Sequence, residues 1–219
     1  MRKYTTYLLG LALLIFATAP AVIYLAPYES TMGLVQKIFY YHVPGALLML
    51  ALAMIGGVAS AIFLFTGNPR ADRWGLAAVE QVVLFGAMTL VTGPLWARKA
   101  WGVWWEWEPR LTSTLLGWMV CIAYLLLRRF GGPGSDKLAA GLALFGLANA
   151  PFIYISVNYW RTMHPKTTVL GSLVPPMAGP IWFGMVGFVL LSIVLFALRV
   201  QLEEQRARVE ALYLAADES

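Results

Sequence analysis

Only two histidines occur in this 219-residue chain, His42 and His164. A neutral imidazole binds metal through its unprotonated ring nitrogen. Two of them can hold a flat metallated macrocycle from opposite axial sides. They cannot alone close a tetrahedral zinc site, and few carboxylates lie nearby to complete one. The single cysteine, Cys121, falls within an apolar run. The chain therefore has no disulfide framework, no CxxC, no thiolate metal site and no CxxCH for covalent attachment of a macrocycle.

Between the histidines lies WARKAWGVWWEWEPR, Trp96 to Arg110, with five tryptophans in its first twelve residues. Read as a short interfacial helix over 99–107, the spacing i, i+3, i+4 puts Trp101, Trp104 and Trp105 on one face. Glu108 extends that stripe, and Glu106 points away. Trp96 and Trp107 lie towards its two ends. Pro109 ends the piece and opens the next span, because proline suits the first helical position. The product is an aromatic shelf with an acidic end, bordered by Arg98, Lys99 and Arg110. Haem matches it: a π face for the indoles, propionates for the cations and iron for His42 and His164. Trp74, Trp118, Trp160 and Trp182, each taken alone, read as an interfacial aromatic belt.

The elements that must position these residues are apolar. The chain is 60% hydrophobic and 12% charged, with a mean hydropathy of +0.70. Soluble domains carry about 25% charged residues. Apolar runs near the ~20 residues that cross a bilayer recur along it. The pattern predicts an all-α, polytopic membrane protein with spans near 4–26, 43–65, 74–95, 112–127, 138–159 and 180–200. These form one transmembrane domain over 1–219, with a tryptophan-rich motif at 96–113 and a polar tail at 201–219. The opening MRKYTTYLLGLALLIFATAPA resembles a signal peptide, but its apolar run continues to Ala26, which favours an uncleaved first span. The net charge of +5 is ordinary for basic membrane loops and does not point to nucleic acid.

Charge counting sets the orientation. Arg2, Lys3, Arg70, Arg73, Arg128, Arg129, Lys137, Arg199, Arg206 and Arg208 fall on one side. Lys37, Arg98, Lys99, Arg110, Arg161 and Lys166 fall on the other. The positive-inside rule puts both termini in the cytoplasm and the tryptophan stretch outside. Three outward loops then converge: PYESTMGLVQKIFYYH with His42, the tryptophan stretch, and WRTMHPKTTVLGSLVPP with His164. The tail reads as a polar continuation of the last helix with a Glu204–Arg208 pair. Glu80, in the third span, reads as a snorkelling or helix-packing residue near the cytoplasmic end. Asn149 and Asn158 read as interhelical glue.

Two other classes fit less well. A bis-histidine haem b cytochrome passing electrons to or from quinone usually ligates haem between facing helices, with its histidines inside the spans. A solute transporter needs paired interrupted spans, and none stands out.

WGVWWEWEPRLTS resembles the signature of the tryptophan-rich (WWD) haem-handling family of cytochrome c biogenesis. YYHVPGALLM and NYWRTMHPKTTVL resemble the histidine loops of its short six-span CcmC group, and LVTGPLW before the signature is also similar. The likeness runs from the first outward loop to the last span. Trp107–Glu108 stands where the family has Trp-Asp, so the carboxylate is kept but is one methylene longer. Pro165 stands where Gln is expected.

The resemblance implies a carrier rather than an enzyme, in the bacterial inner membrane, holding non-covalent haem b on the periplasmic face. It implies His42 and His164 as axial ligands. Trp96, Trp101, Trp104, Trp105 and Trp107 become platform or partner contacts, with Glu108 and Arg110 supporting ligand or docking. The implied partners are the membrane-anchored haem chaperone CcmE, the ABC transporter pair CcmA/CcmB, the small single-span subunit CcmD and membrane lipid.

Overall fold

The computed structural model describes residues 2–29 and 32–217. Ser30 and Thr31 of the first outward loop, Met1, and the last two residues of the polar tail lie outside it. Six α-helices make the fold: α1 (Arg2–Leu25), α2 (Phe39–Thr66), α3 (Pro69–Ala100), α4 (Pro109–Phe130), α5 (Ser135–Tyr159) and α6 (Pro175–Asp217). Each is long and apolar enough to cross a membrane. Short 3₁₀ turns at Leu34–Ile38 and Thr167–Ser172 precede α2 and α6.

Helices α3 and α2 show how a capped end extends a helix past its apolar run. Asn68 accepts from the Arg70 N–H at 2.9 Å, and Pro69 takes the first helical position of α3. Both features favour a helix start, so α3 begins before the apolar run does. At the end of α2, Gly67 adopts φ +67° and returns its N–H to Phe63 O at 2.8 Å. A left-handed residue here costs glycine little. The tail continues α6 as a helix to Asp217, as its sequence predicts.

Helix α2 packs against α3, α5 and α6, while α4 lies on α5 and α3, and α1 lies on α6. The side of α1 that faces inward is the stripe Ala12, Ile15, Ala19, Ile23 and Ala26, all buried. That spacing puts one narrow helical face against the bundle and leaves the rest for lipid.

Polar groups inside the bundle find partners on other helices. Arg128 of α4 clasps Asp72 of α3 through two hydrogen bonds of 2.5 and 2.8 Å. Glu80 accepts from Arg199 Nε at 2.5 Å, tying α3 to α6. Gln81 accepts from Ser192 at 2.7 Å, and Asn149 donates to Ser113 O at 2.9 Å. Such interhelical bonds contribute roughly 0.6–2 kcal/mol each in membranes. Glu80 is thus a packing residue rather than a transport site.

Three expectations are corrected. Arg199 and Arg206 both pair with Glu203, and no Glu204–Arg208 pair forms among the described residues. Asn158 bonds to Thr167, closing the base of the His164 loop, instead of joining two helices. Trp118 is no belt residue. Its Nε1 donates to Val83 O at 2.9 Å, and a Cβ at Gly86 would come within 2.5 Å of its ring. A small residue on α3 therefore admits an indole from α4.

Candidate haem site

His42 lies in the first turn of α2, directly after the 3₁₀ turn Leu34–Ile38. That turn is anchored to the end of α1. Lys37 donates to Ile23 O at 2.7 Å and to Ala26 O, carbonyls at the C-terminal end of α1. Its ammonium also lies 4.8 Å from the centre of the Tyr28 ring. The imidazole Nδ1 stands 2.8 Å from Thr92 Oγ1 on α3. The Thr92 hydroxyl spends its one proton on Met88 O, at 2.7 Å. With that proton on Met88 O, the Thr92 oxygen accepts from His42 Nδ1–H, the tautomer that leaves Nε2 bare.

His164 lies in the loop between α5 and the turn Thr167–Ser172. Its Nδ1 is 3.0 Å from Pro165 O. A carbonyl only accepts, so this ring too carries its proton on Nδ1 and leaves Nε2 free. Burial, and then the charge of Arg110, pull the His164 pKa from 6.5 down to about 3. The bond to Pro165 opposes that shift. The side chain is held neutral, the state that ligates iron.

Both histidines line one cavity between α2, α3, α4 and α5. Trp96, Trp101, Trp104, Trp105 and Arg110 share its walls, and Val43, Leu47, Leu50 and Ile153 supply apolar surface. Trp96 and Trp101 meet edge to face with centroids 4.9 Å apart, and Trp101 meets the His164 ring at 6.3 Å. The Arg110 guanidinium makes no hydrogen bond or ion pair among the described residues. The indole N–H groups of Trp96 and Trp105 are buried without an acceptor there. Unpaired buried donors each cost about 1–3 kcal/mol, so stability alone does not account for this wall.

The expected interfacial helix does not form. Helix α3 runs to Ala100, where Trp101 N–H caps Ala97 O at 2.8 Å. Gly102 then turns left-handed at φ +82°, and Arg98 donates to its carbonyl. Residues 101–108 follow as irregular chain. The three indoles assigned to one face still reach one cavity, because the turn at Gly102 folds the segment back over α3.

The family model for CcmC, heme exporter protein C, matches residues 1–215. The chain belongs to the CcmC family. It is 33% identical over 196 residues to heme exporter protein C of Bradyrhizobium diazoefficiens, covering 87% of this chain and 74% of that one. The Escherichia coli heme exporter protein C is 32% identical over 201 residues, covering 86% and 80%. A ccmC-like mitochondrial protein of cytochrome c biosynthesis from Marchantia polymorpha is 31% identical over 205 residues, covering 91% and 87%. CcmC proteins are components of haem transport and not enzymes, and this one is a multi-pass membrane protein.

Of the site residues expected from the CcmC-like signature, Trp107 and Glu108 lie off the cavity wall. Trp107 is 76% exposed and stacks edge-on against Trp105 at 5.7 Å. Glu108 is 9% exposed and reaches the opposite loop, where it accepts from the Thr162 hydroxyl and, at 3.3 Å, from Met163 N–H. His164 N–H in turn donates to Thr162 Oγ1 at 3.0 Å. Sequence reasoning missed Thr92 and Thr162. LVTGPLW contains the first, but nothing local marks a threonine as the partner of an imidazole some 50 residues away.

Proposed function

We propose that the protein binds haem on the outward face of the bacterial inner membrane and delivers it to the chaperone CcmE for cytochrome c maturation. The observation that carries this reading is that both histidines share one tryptophan-walled cavity with an arginine whose guanidinium is unpaired among the described residues. Nε2 of His42 and His164 supplies the axial bonds. The indoles of Trp96, Trp101, Trp104 and Trp105 cover the macrocycle, and Arg110 receives a propionate. Non-covalent haem b is the form such a site suits, because the chain has no attachment cysteines.

The cavity is partly open to the outside and measures about 140 Å³, similar to a cavity that admits benzene. A porphyrin is far larger. One edge of the cargo therefore stays outside, against Trp104, which is 56% exposed. That suits a carrier, whose partner must reach what it takes. It suits an electron-transfer cytochrome poorly, because that class buries haem between facing helices. CcmA/CcmB, CcmD and the surrounding lipid complete the proposed assembly.

The test is the visible spectrum of the detergent-purified protein. The wild type should copurify with six-coordinate, low-spin haem. His42→Ala and His164→Ala should each lose it, and external imidazole should partly restore it. Wild-type spectra from both single variants would mean that the ligands lie elsewhere.

A further inference from the structure

The two histidines are held by different means. His42 is on α2 and tied to Thr92 on α3, so two packed helices fix it. The His164 ring hydrogen-bonds only to the next residue, Pro165, a bond that cannot place the loop against the rest of the molecule, and beyond it the ring meets Trp101 edge-on. The base of the loop is closed by Asn158 and Thr167, with bonds of 3.1 and 3.2 Å, in an exposed position. Among the described residues, the only hydrogen bonds from 161–166 to the tryptophan segment or the cavity helices end on Glu108.

Glu108 directly precedes α4, and Arg110 of the cavity wall follows two residues later. One carboxylate oxygen, Oε2, takes both the Thr162 hydroxyl and the Met163 N–H. The Thr162 oxygen then takes the His164 N–H. The chain Glu108–Thr162–His164 joins His164 to the tryptophan segment through two residues that do not line the cavity. Hydroxyl and backbone donors compensate Oε2, while Oε1 is buried with no hydrogen-bond partner among the described residues.

We propose that Glu108, acting through Thr162, is the positioning residue for His164, a latch that sets whether this one ligand reaches the iron. The latch rests on reading His164 as an axial ligand. It assigns the acidic residue of the tryptophan signature to the loop rather than to haem or to a partner's surface.

The experiment uses full-length protein in detergent, loaded with haem, and reads the low-spin fraction by visible and electron paramagnetic resonance spectra. Glu108→Gln and Thr162→Val should each move at least half of the haem to a five-coordinate, high-spin form still held by His42. Excess imidazole should return it to low spin. Thr162→Ser keeps the hydroxyl and should keep the wild-type spectrum, which a loss of folding would not reproduce. Glu108→Gln combined with His164→Ala should be no worse than His164→Ala alone, because both act on the same bond. If Glu108→Gln and Thr162→Val stay fully low-spin while His164→Ala becomes high-spin, the latch is wrong and the ligand assignment stands. If His164→Ala itself stays low-spin, the underlying ligand assignment is wrong.

Discussion

Thr92 Oγ1 lies 2.8 Å from His42 Nδ1 while its own proton goes to Met88 O. With its proton on Met88 O, the threonine accepts from the imidazole Nδ1–H. It fixes both the tautomer and the ring plane of His42 from a neighbouring helix. Partners of this kind raise ligand basicity, and their loss commonly costs 10–100-fold in metal affinity or activity.

Thr92→Val keeps the shape of the side chain and removes the acceptor. We expect haem affinity to fall roughly 10-fold or more and the iron potential to rise, because a less basic imidazole stabilises Fe(III) less. Thr92→Ser should restore both. Spectroelectrochemical titration reads the potential, and an unchanged value in Thr92→Val would remove Thr92 from the site.

The low pKa of His164, about 3 against an ordinary 6.5, has a directional consequence. Its neutral form persists well below pH 6.5, so no proton competes with iron at its nitrogen. Haem titrations on the purified protein at pH 8.0 and pH 5.5 should give the same low-spin fraction. Stability of the haem-free protein should behave oppositely. The unfolded chain binds a proton at His164 below pH 6.5 that the folded chain refuses, so this contribution is full above pH 6.5 and is lost as pH falls towards 3. A low-spin fraction that titrates near pH 6.5 would contradict the buried environment of His164.

Trp107 is exposed and off the cavity wall, whereas Trp104 is on the wall and half-exposed. Aromatic residues near an interface centre commonly dominate its energy, at ~2 kcal/mol or more each. Trp107→Ala should therefore lower loading of the chaperone more than it lowers copurified haem. Trp104→Ala should do the same with a larger share of haem loss. Haem content and chaperone loading, measured in the same membranes, decide it. Equal losses in both quantities for both variants would make these residues a cradle only.

Glu106 and Lys166 are exposed at the tryptophan end of the bundle, and Ser135 opens α5 at the other end. Cysteine labelling from outside should reach positions 106 and 166 and not position 135. Labelling of Ser135→Cys together with Glu106→Cys would break the orientation drawn from the charge count.

Much of this arrangement is legible from local pattern. Six apolar runs of bilayer length specify helices, because the hydrocarbon core forces each backbone polar group to find a partner within its own segment. The parity of those spans then brings His42, the tryptophans and His164 to one end. Pro109 opens α4 as its position predicts. What tertiary structure alone decides is where individual polar atoms go. Gly102 is one glycine among 20, yet its left-handed turn replaces the expected helix over 99–107. Glu108 turns away from the shelf because its donors, Thr162 and Met163, come from a loop more than 50 residues further along the chain. Trp118 leaves the belt for Val83 O, 35 residues back. Hydrophobic periodicity is a property of neighbours in sequence. A hydrogen-bond partner is a property of neighbours in space, and it exists only once the helices have packed.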